Sequence, residues 1–143
     1  MIGHIVNIKG PAKYKKYIKK AVLAALEYEK VDYACEINVE ISDNRTIQNL
    51  NRDYRGKDCP TDVLSFLMNE TNPENGKTLL GDIIISMEKA KQQGEEYGTG
   101  TEQELMFLSA HATLHLLGYD HEISEEEDFA MKEKQKEIKK IYE

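Results

Sequence analysis

Cysteine is scarce in this chain. Its two thiols, Cys35 and Cys59, are too few for a disulfide framework and form no Cys-x2-Cys pair, which fits reduced thiols and argues against a stapled secreted scaffold. No apolar run approaches the ~20 residues that a membrane helix needs. The opening Met1-Ile2-Gly3-His4-Ile5-Val6 lacks the basic start and long apolar segment of a secretory signal. The expectation is a protein that stays in water, works in the cytoplasm and has no membrane partner. Positive charge is also in short supply: 19 Lys and Arg against 26 Asp and Glu leave a formal charge of −7, which weighs against a broad phosphate-binding surface. Internal repeats and low-complexity tracts are missing. At 143 residues the chain is expected to be one domain, 1–143, large enough to bury a core without staples.

The charge that is present is unevenly placed. Lys13, Lys15, Lys16, Lys19 and Lys20 cluster near the start, Arg45, Arg52, Arg55 and Lys57 follow, and Glu122, Glu125, Glu126, Glu127 and Asp128 load the last third. The lysines describe either a local basic face or the solvated side of a helix.

Periodicity gives the elements. Residues Ile2 to Ile8 are rich in β-branched types and read as a short strand. After Gly10-Pro11, apolar residues at Tyr14, Tyr17, Ile18, Ala21, Val22, Ala25 and Tyr28 mark an amphipathic helix whose task is to cover a sheet. Cys35, Ile37, Val39 and Ile41 alternate with Glu36, Asn38 and Glu40, the clearest strand in the chain. Ser42 or Asp43 can cap a helix ending near Arg55-Gly56. A polar loop then leads into the strand 63–68, and the turns Asn72-Pro73 and Asn75-Gly76 return the chain into an antiparallel partner over 79–85. Asp82 interrupts that strand; it could cap a helix, hold a histidine nitrogen or bond to a loop, the last being the simplest. Ser86 caps a helix to about Tyr97, broken by Gly98-Thr99-Gly100, and Thr101-Glu102-Gln103-Glu104 reads as a capping box for the next one. A second box, Ser124-Glu125-Glu126-Glu127, opens a last helix with Phe129, Ile138 and Ile141 among many charges, expected to act as a polar lid. The fold class implied is α+β, a mixed sheet of about four strands with about five helices.

The chemistry concentrates in His111-Ala112-Thr113-Leu114-His115-Leu116-Leu117-Gly118-Tyr119-Asp120-His121. Residues four apart on a helix share a face, so His111 and His115 can direct two imidazoles at one point. Gly118 suits the end of that helix, where a reversal can return His121 to the same point. No Asp, Glu, Lys or Arg occurs between Leu105 and Leu117, and imidazoles on so apolar a helix need polar partners, which a metal supplies. Three histidines suit a catalytic zinc, whose fourth position stays open, better than a structural one. The spacing matches the metzincin metalloproteases, but those carry Glu after the first histidine as general base, and this chain has Ala112. At the head of the polar loop 55–62, Arg55 can grip a phosphate in bidentate fashion, or simply pair with Asp53, Asp58 or Asp62.

With these segments in view, the chain resembles the bacterial YbeY family of zinc-dependent endoribonucleases over nearly its whole length. The resemblance rests on Asn51-Arg52-Asp53-Tyr54-Arg55-Gly56-Lys57-Asp58, on Pro60-Thr61-Asp62-Val63-Leu64-Ser65-Phe66, on Leu80-Gly81-Asp82-Ile83-Ile84-Ile85-Ser86 and on the histidine stretch. It implies a mixed sheet with helices, one Zn2+ held by His111, His115 and His121, and a functional arginine at Arg55. It further implies a role in ribosomal RNA 3′-end maturation and ribosome quality control, with single-stranded ribosomal RNA and the ribosome or its associated proteins as partners. The chain departs from the family at Ala112, where glycine is usual, and at Leu67, where proline commonly follows Ser-Phe. The expected reaction is metal-assisted phosphodiester cleavage in which Arg55, helped by Lys57, binds substrate and stabilises charge on the phosphoryl oxygens; Asp120 is the nearest candidate proton acceptor in the sequence, or equally a hydrogen-bond partner of a metal ligand. Two other readings stand beside it: a metzincin-like metalloprotease with a base from elsewhere, and a ribosome-associated zinc-binding module without catalysis.

Overall fold

The alternation at Cys35 becomes the strand β2 (Cys35–Ser42), with Cys35, Ile37 and Val39 buried on one face and Glu36, Asn38 and Glu40 half-buried on the other. In this computed structural model, which describes residues 2–120 and 124–143, β2 is flanked on both sides by parallel strands. These are β1 (Ile5–Lys9) and β4 (Thr78–Ser86), and β3 (Val63–Thr71) closes one edge antiparallel to β4, giving the order β1-β2-β4-β3. The helices are α1 (Ala12–Tyr28), α2 (Asn44–Arg55), α3 (Met87–Glu96), α4 (Thr101–Leu116) and α5 (Glu125–Tyr142). The described residues thus form the expected α+β arrangement of a mixed four-stranded sheet and five helices.

One face of the sheet is covered by α1 and α4: Ile18, Val22 and Leu26 meet Ile37, Val39, Ile83, Ile85, Leu105, Leu108 and Leu116 in a continuous core. A second cluster lies on the far side of α4, where Met106, Ala110 and Leu114 pack against Ala21 and Ala25 of α1 and Met131, Ile138 and Tyr142 of α5. Helix α4 is therefore buried from two directions, the physical reason its sequence has no charged stripe after its first turn. Its two buried hydroxyls are satisfied internally, Ser109 donating to the Leu105 carbonyl (2.7 Å) and Thr113 to the Ser109 carbonyl (2.8 Å).

Helix α5 departs from the expected polar lid. Its inward stripe is Met131, Gln135, Ile138 and Tyr142, while Phe129 and Ile141 face solvent. The many charges hide a stripe spaced four, three and four residues apart, and the helix is a packed wall of the second cluster.

On the other face of the sheet, α2 covers β3 and β4 through Ile47, and Tyr54 meets Phe66 edge-on at 5.3 Å. Over β1 and β2 that face carries a ladder of polar side chains. Asn7 Nδ2 donates to Asn38 Oδ1 (2.9 Å), and Asn38 Nδ2 donates to Asp82 Oδ1 (3.1 Å). Asp82 thus answers a neighbouring strand and not a loop, because the parallel register sets Asn7, Asn38 and Asp82 side by side.

Local punctuation mostly follows expectation. Asp43 caps α2 by accepting from Thr46 N, Ser86 caps α3 by accepting from Lys89 N, and Ser124 caps α5 by accepting from Glu127 N. The predicted box at Thr101 does not form. Gly100 occupies the cap position at φ +93°, and the backbone there lies so close to Gly94 of α3 that a Cβ on Gly94 would stand 2.6 Å from Gly100 C. Tight α3–α4 packing over two glycines sets the helix start one residue earlier and leaves Glu104 inside the helix, buried.

Candidate metal and phosphate site

Edge strand β3 is where the two faces of the sheet meet, and it lines a cleft of about 850 Å³. Helix α4 enters the cleft from the core side with Phe107, His111 and His115; α2 enters from the opposite side with Tyr54 and Arg55. Residues 61–67 form the wall between them.

Periodicity aligns the histidines. The rings of His111 and His115 are 4.5 Å apart between centroids and inclined by 49°, both half-buried. Phe107, one turn earlier on the same face, lies nearly parallel to His111 at 6.2 Å and 20°. Helix α4 then ends in a reversal: Tyr119 N–H bonds to the Leu114 carbonyl, Gly118 N–H to the His115 carbonyl, and Gly118 adopts φ +105°, a conformation that costs glycine little. The reversed chain brings Asp120 into the cleft lining.

His121, the third predicted ligand, lies outside the described residues. Among the described residues no group of three metal-ligating side chains forms. The donor set that is described fits one borderline-soft divalent ion: two imidazoles at i and i+4 on one face, opening into a cleft wide enough for a substrate phosphate. Such an ion needs a third donor, and the predicted one follows Asp120 directly in the chain.

Arg55 is placed by the end of α2. It is the last helical residue before Gly56, which takes a left-handed conformation (φ +70°), and with Arg52 it puts positive charge where the helix dipole favours it. Two of the carboxylates expected to compete for it have other partners. Asp53 pairs with Arg52 (3.2 Å), and Asp58 accepts from Gln48 (3.0 Å). Lys57 is exposed and does not line the cleft; the chain turns away after Gly56, and residues 57–60 leave the wall before Thr61 and Asp62 rejoin it. That loop is pinned by the buried Asn51, whose amide donates to the Cys59 carbonyl (2.9 Å).

Sequence reasoning missed the aromatic lining. Phe107 could have been found, since it stands four residues before His111 on the same face. Tyr54 and Phe66 could not, because they meet only through the packing of α2 on β3. Ala112, buried and part of the cleft floor, holds the position where a metzincin carries its catalytic glutamate.

Comparison with known proteins bears on the family and the fold. The family model described as Endoribonuclease YbeY matches residues 5–143. A protein named Endoribonuclease YbeY from Lachnoclostridium phytofermentans is 44% identical over 138 residues, covering 85% of this chain and 83% of that protein. Its namesake from Persephonella marina is 47% identical over 124 residues, covering 87% and 80%. A Thermotoga maritima protein solved in solution superposes with a TM-score of 0.65 at 29% identity, covering 96% of this chain and 89% of that one. With a match along nearly its whole length, the chain belongs to the YbeY endoribonuclease family.

Proposed function

We propose that this protein is a zinc-dependent, single-strand-specific endoribonuclease of the cytoplasm, acting with the ribosome in ribosomal RNA 3′-end maturation and in ribosome quality control. The observation that carries the catalytic part is the convergence of His111, His115 and Arg55 on one cleft from opposite faces of the sheet. His111, His115 and His121 would hold the ion. When bound, zinc supplies a Lewis acid beside the scissile phosphate.

The chain's own residues do the rest. Arg55, a planar and permanently charged donor, binds phosphoryl oxygens and stabilises the charge that grows on them. Tyr54 and Phe107, both exposed beside the cleft, give a flexible strand surfaces to stack on, which a paired duplex could not use. Asp120, in the same lining, would take a proton from the attacking oxygen or steady a ligand of the ion by a hydrogen bond. With Ala112 in the glutamate position, peptide hydrolysis of the metzincin kind has no base there. The net charge of −7 gives the whole molecule little attraction for free RNA, so delivery by the ribosome or a bound protein fits the substrate reading.

The test is metal analysis of the purified protein alongside cleavage of a single-stranded RNA with and without chelator. Stoichiometric zinc and chelator-sensitive cleavage are expected; cleavage that survives complete metal removal refutes the reading. The 3′ ends of the products separate attack by water from attack by the 2′-hydroxyl, which leaves a 2′,3′-cyclic phosphate. Sequencing of small-subunit RNA 3′ ends in cells lacking the protein tests the cellular role.

A further inference from the structure

Beside the histidine cleft, and sharing Asp62 and Phe107 with it, opens a second hollow of about 410 Å³. Its lining differs in kind from the first. Tyr97 and Phe107, 66% and 44% exposed, offer aromatic faces at its rim, and Gln93, Gln103, Asp62 and Glu104 line it with planar hydrogen-bonding groups. Glu104 is 6% exposed, and no hydrogen bond or ion pair among the described residues engages its carboxyl. Burial, and then the nearby Asp62, push its pKa above the ordinary carboxylate value, so the charged form is destabilised where it stands. The carboxyl is left to the hollow itself, where whatever enters can meet it.

We infer that this hollow is a nucleobase subsite, selective for guanine, that receives a base flanking the phosphate held in the main cleft. The inference rests on the endoribonuclease reading of that cleft. Single-stranded RNA is read by bases splayed onto aromatic rings and bonded along their edges, and the lining supplies both elements. Its polar groups select among the bases. A carboxylate only accepts, and guanine presents two adjacent donors, N1–H and the N2 amino group, to such an acceptor. Adenine and cytosine offer an amino group next to an acceptor nitrogen, and uracil offers a single N–H, so none of the three gives Glu104 the paired donors that guanine does; Lys139, also in the lining, supplies a further donor for a base carbonyl. Gln103 carries an amide donor for the guanine O6, while the Gln93 amide donates to Asp62 (3.4 Å) and holds that carboxyl in the wall. Phe107 forms part of both hollows and lies against His111 at 6.2 Å, so a base resting on it sits directly beside the reacting phosphate.

The test uses the zinc-loaded protein and oligouridine carrying one guanine at successive positions, with cleavage mapped along the strand. At one fixed offset from guanine, cutting is expected to be about tenfold faster than at the same bond flanked by uracil, the size of one stacked and bonded base. In Tyr97→Ala and Glu104→Gln, each confirmed folded by its melting curve, that ratio falls toward one. Cleavage indifferent to the guanine position, or a ratio that neither variant moves, overturns the inference while leaving the nuclease reading intact. If no RNA is cut, the nuclease reading fails, and NMR titration with guanosine and uridine monophosphates then decides the subsite alone. Shifts of the Tyr97, Gln103 and Phe107 amides, stronger for guanosine, support it; their absence refutes it.

Discussion

Replacing Gly81 by alanine tests how the strand pair and the histidine helix are locked together. Gly81 lies in β4 directly after two register irregularities that both fall between Leu79 and Gly81, one against β2 at Glu36/Ile37 and one against β3 between Leu67 and Glu70. A Cβ built there would run into the Phe66 carbonyl oxygen and stand 2.7 Å from Leu116 Cδ2. The first obstacle is backbone of the paired strand and the second is the residue after His115, itself buried. The Phe66 carbonyl cannot yield without moving β3, and Leu116, a side-chain end held in the core, must repack as well. Overpacking usually costs about 1–3 kcal/mol, and with a backbone obstacle we expect the upper end, about 3 kcal/mol. For a chain of this size that corresponds to a fall in melting temperature of roughly 6–12 °C. Gly76→Ala is the control: φ is +72° and nothing lies within 4 Å, so only the left-handed backbone is penalised, at about 1 kcal/mol. Urea denaturation of the three proteins ranks them, and a Gly81→Ala no less stable than Gly76→Ala would refute the close-approach argument.

Arg55→Ala is expected to lower RNA cleavage about 100-fold, the usual cost of losing one charge-stabilising donor, with zinc content unchanged by metal analysis; equal rates would remove Arg55 from the mechanism. Ile138→Ala, fully buried in the second cluster, should cost about 2–5 kcal/mol in urea melts, whereas the exposed Phe129→Ala should stay within about 0.5 kcal/mol. Similar values for the two would restore α5 to a mere lid. His4 accepts a hydrogen bond on Nδ1 from Cys35 N (3.0 Å), and its pKa is held below 6.5 by burial and by Lys77. Its contribution is therefore complete above about pH 6.5 and lost as pH falls through the depressed native value, a slope that His4→Asn should flatten. Glu104 behaves oppositely: its native pKa is raised above 4.5, so its contribution is complete below that value and lost as pH rises. Glu104→Gln should accordingly gain stability over the parent as the pH is raised above 4.5 and through the raised native value, and a constant difference across that range would contradict the burial argument.

Much of the architecture could be read from one dimension because the signals were local. The period-two alternation at Cys35–Ile41 and the three- and four-residue spacing in α1 depend only on which face each residue turns to the core. The errors arose where a partner distant in the chain decided the outcome. Asp82 found Asn38 across the sheet, Gly94 displaced the cap of α4 to Gly100, and the inward face of α5 was chosen by α1 and α4 against a charge-rich background.

The site divides along the same line. His111 and His115 come together through helical geometry alone, so their spacing determined that two imidazoles would share one face. Nothing local links Arg55 to them: more than fifty residues intervene, and they meet because α2 and α4 lie on opposite faces of a sheet whose edge strand, β3, lets both reach one cleft. The same packing excluded Lys57 from that cleft, added Tyr54 and Phe66, and buried Glu104 beside Asp62. Spacing along the chain decides what a single helix presents; only the stacking of layers decides which faces confront each other.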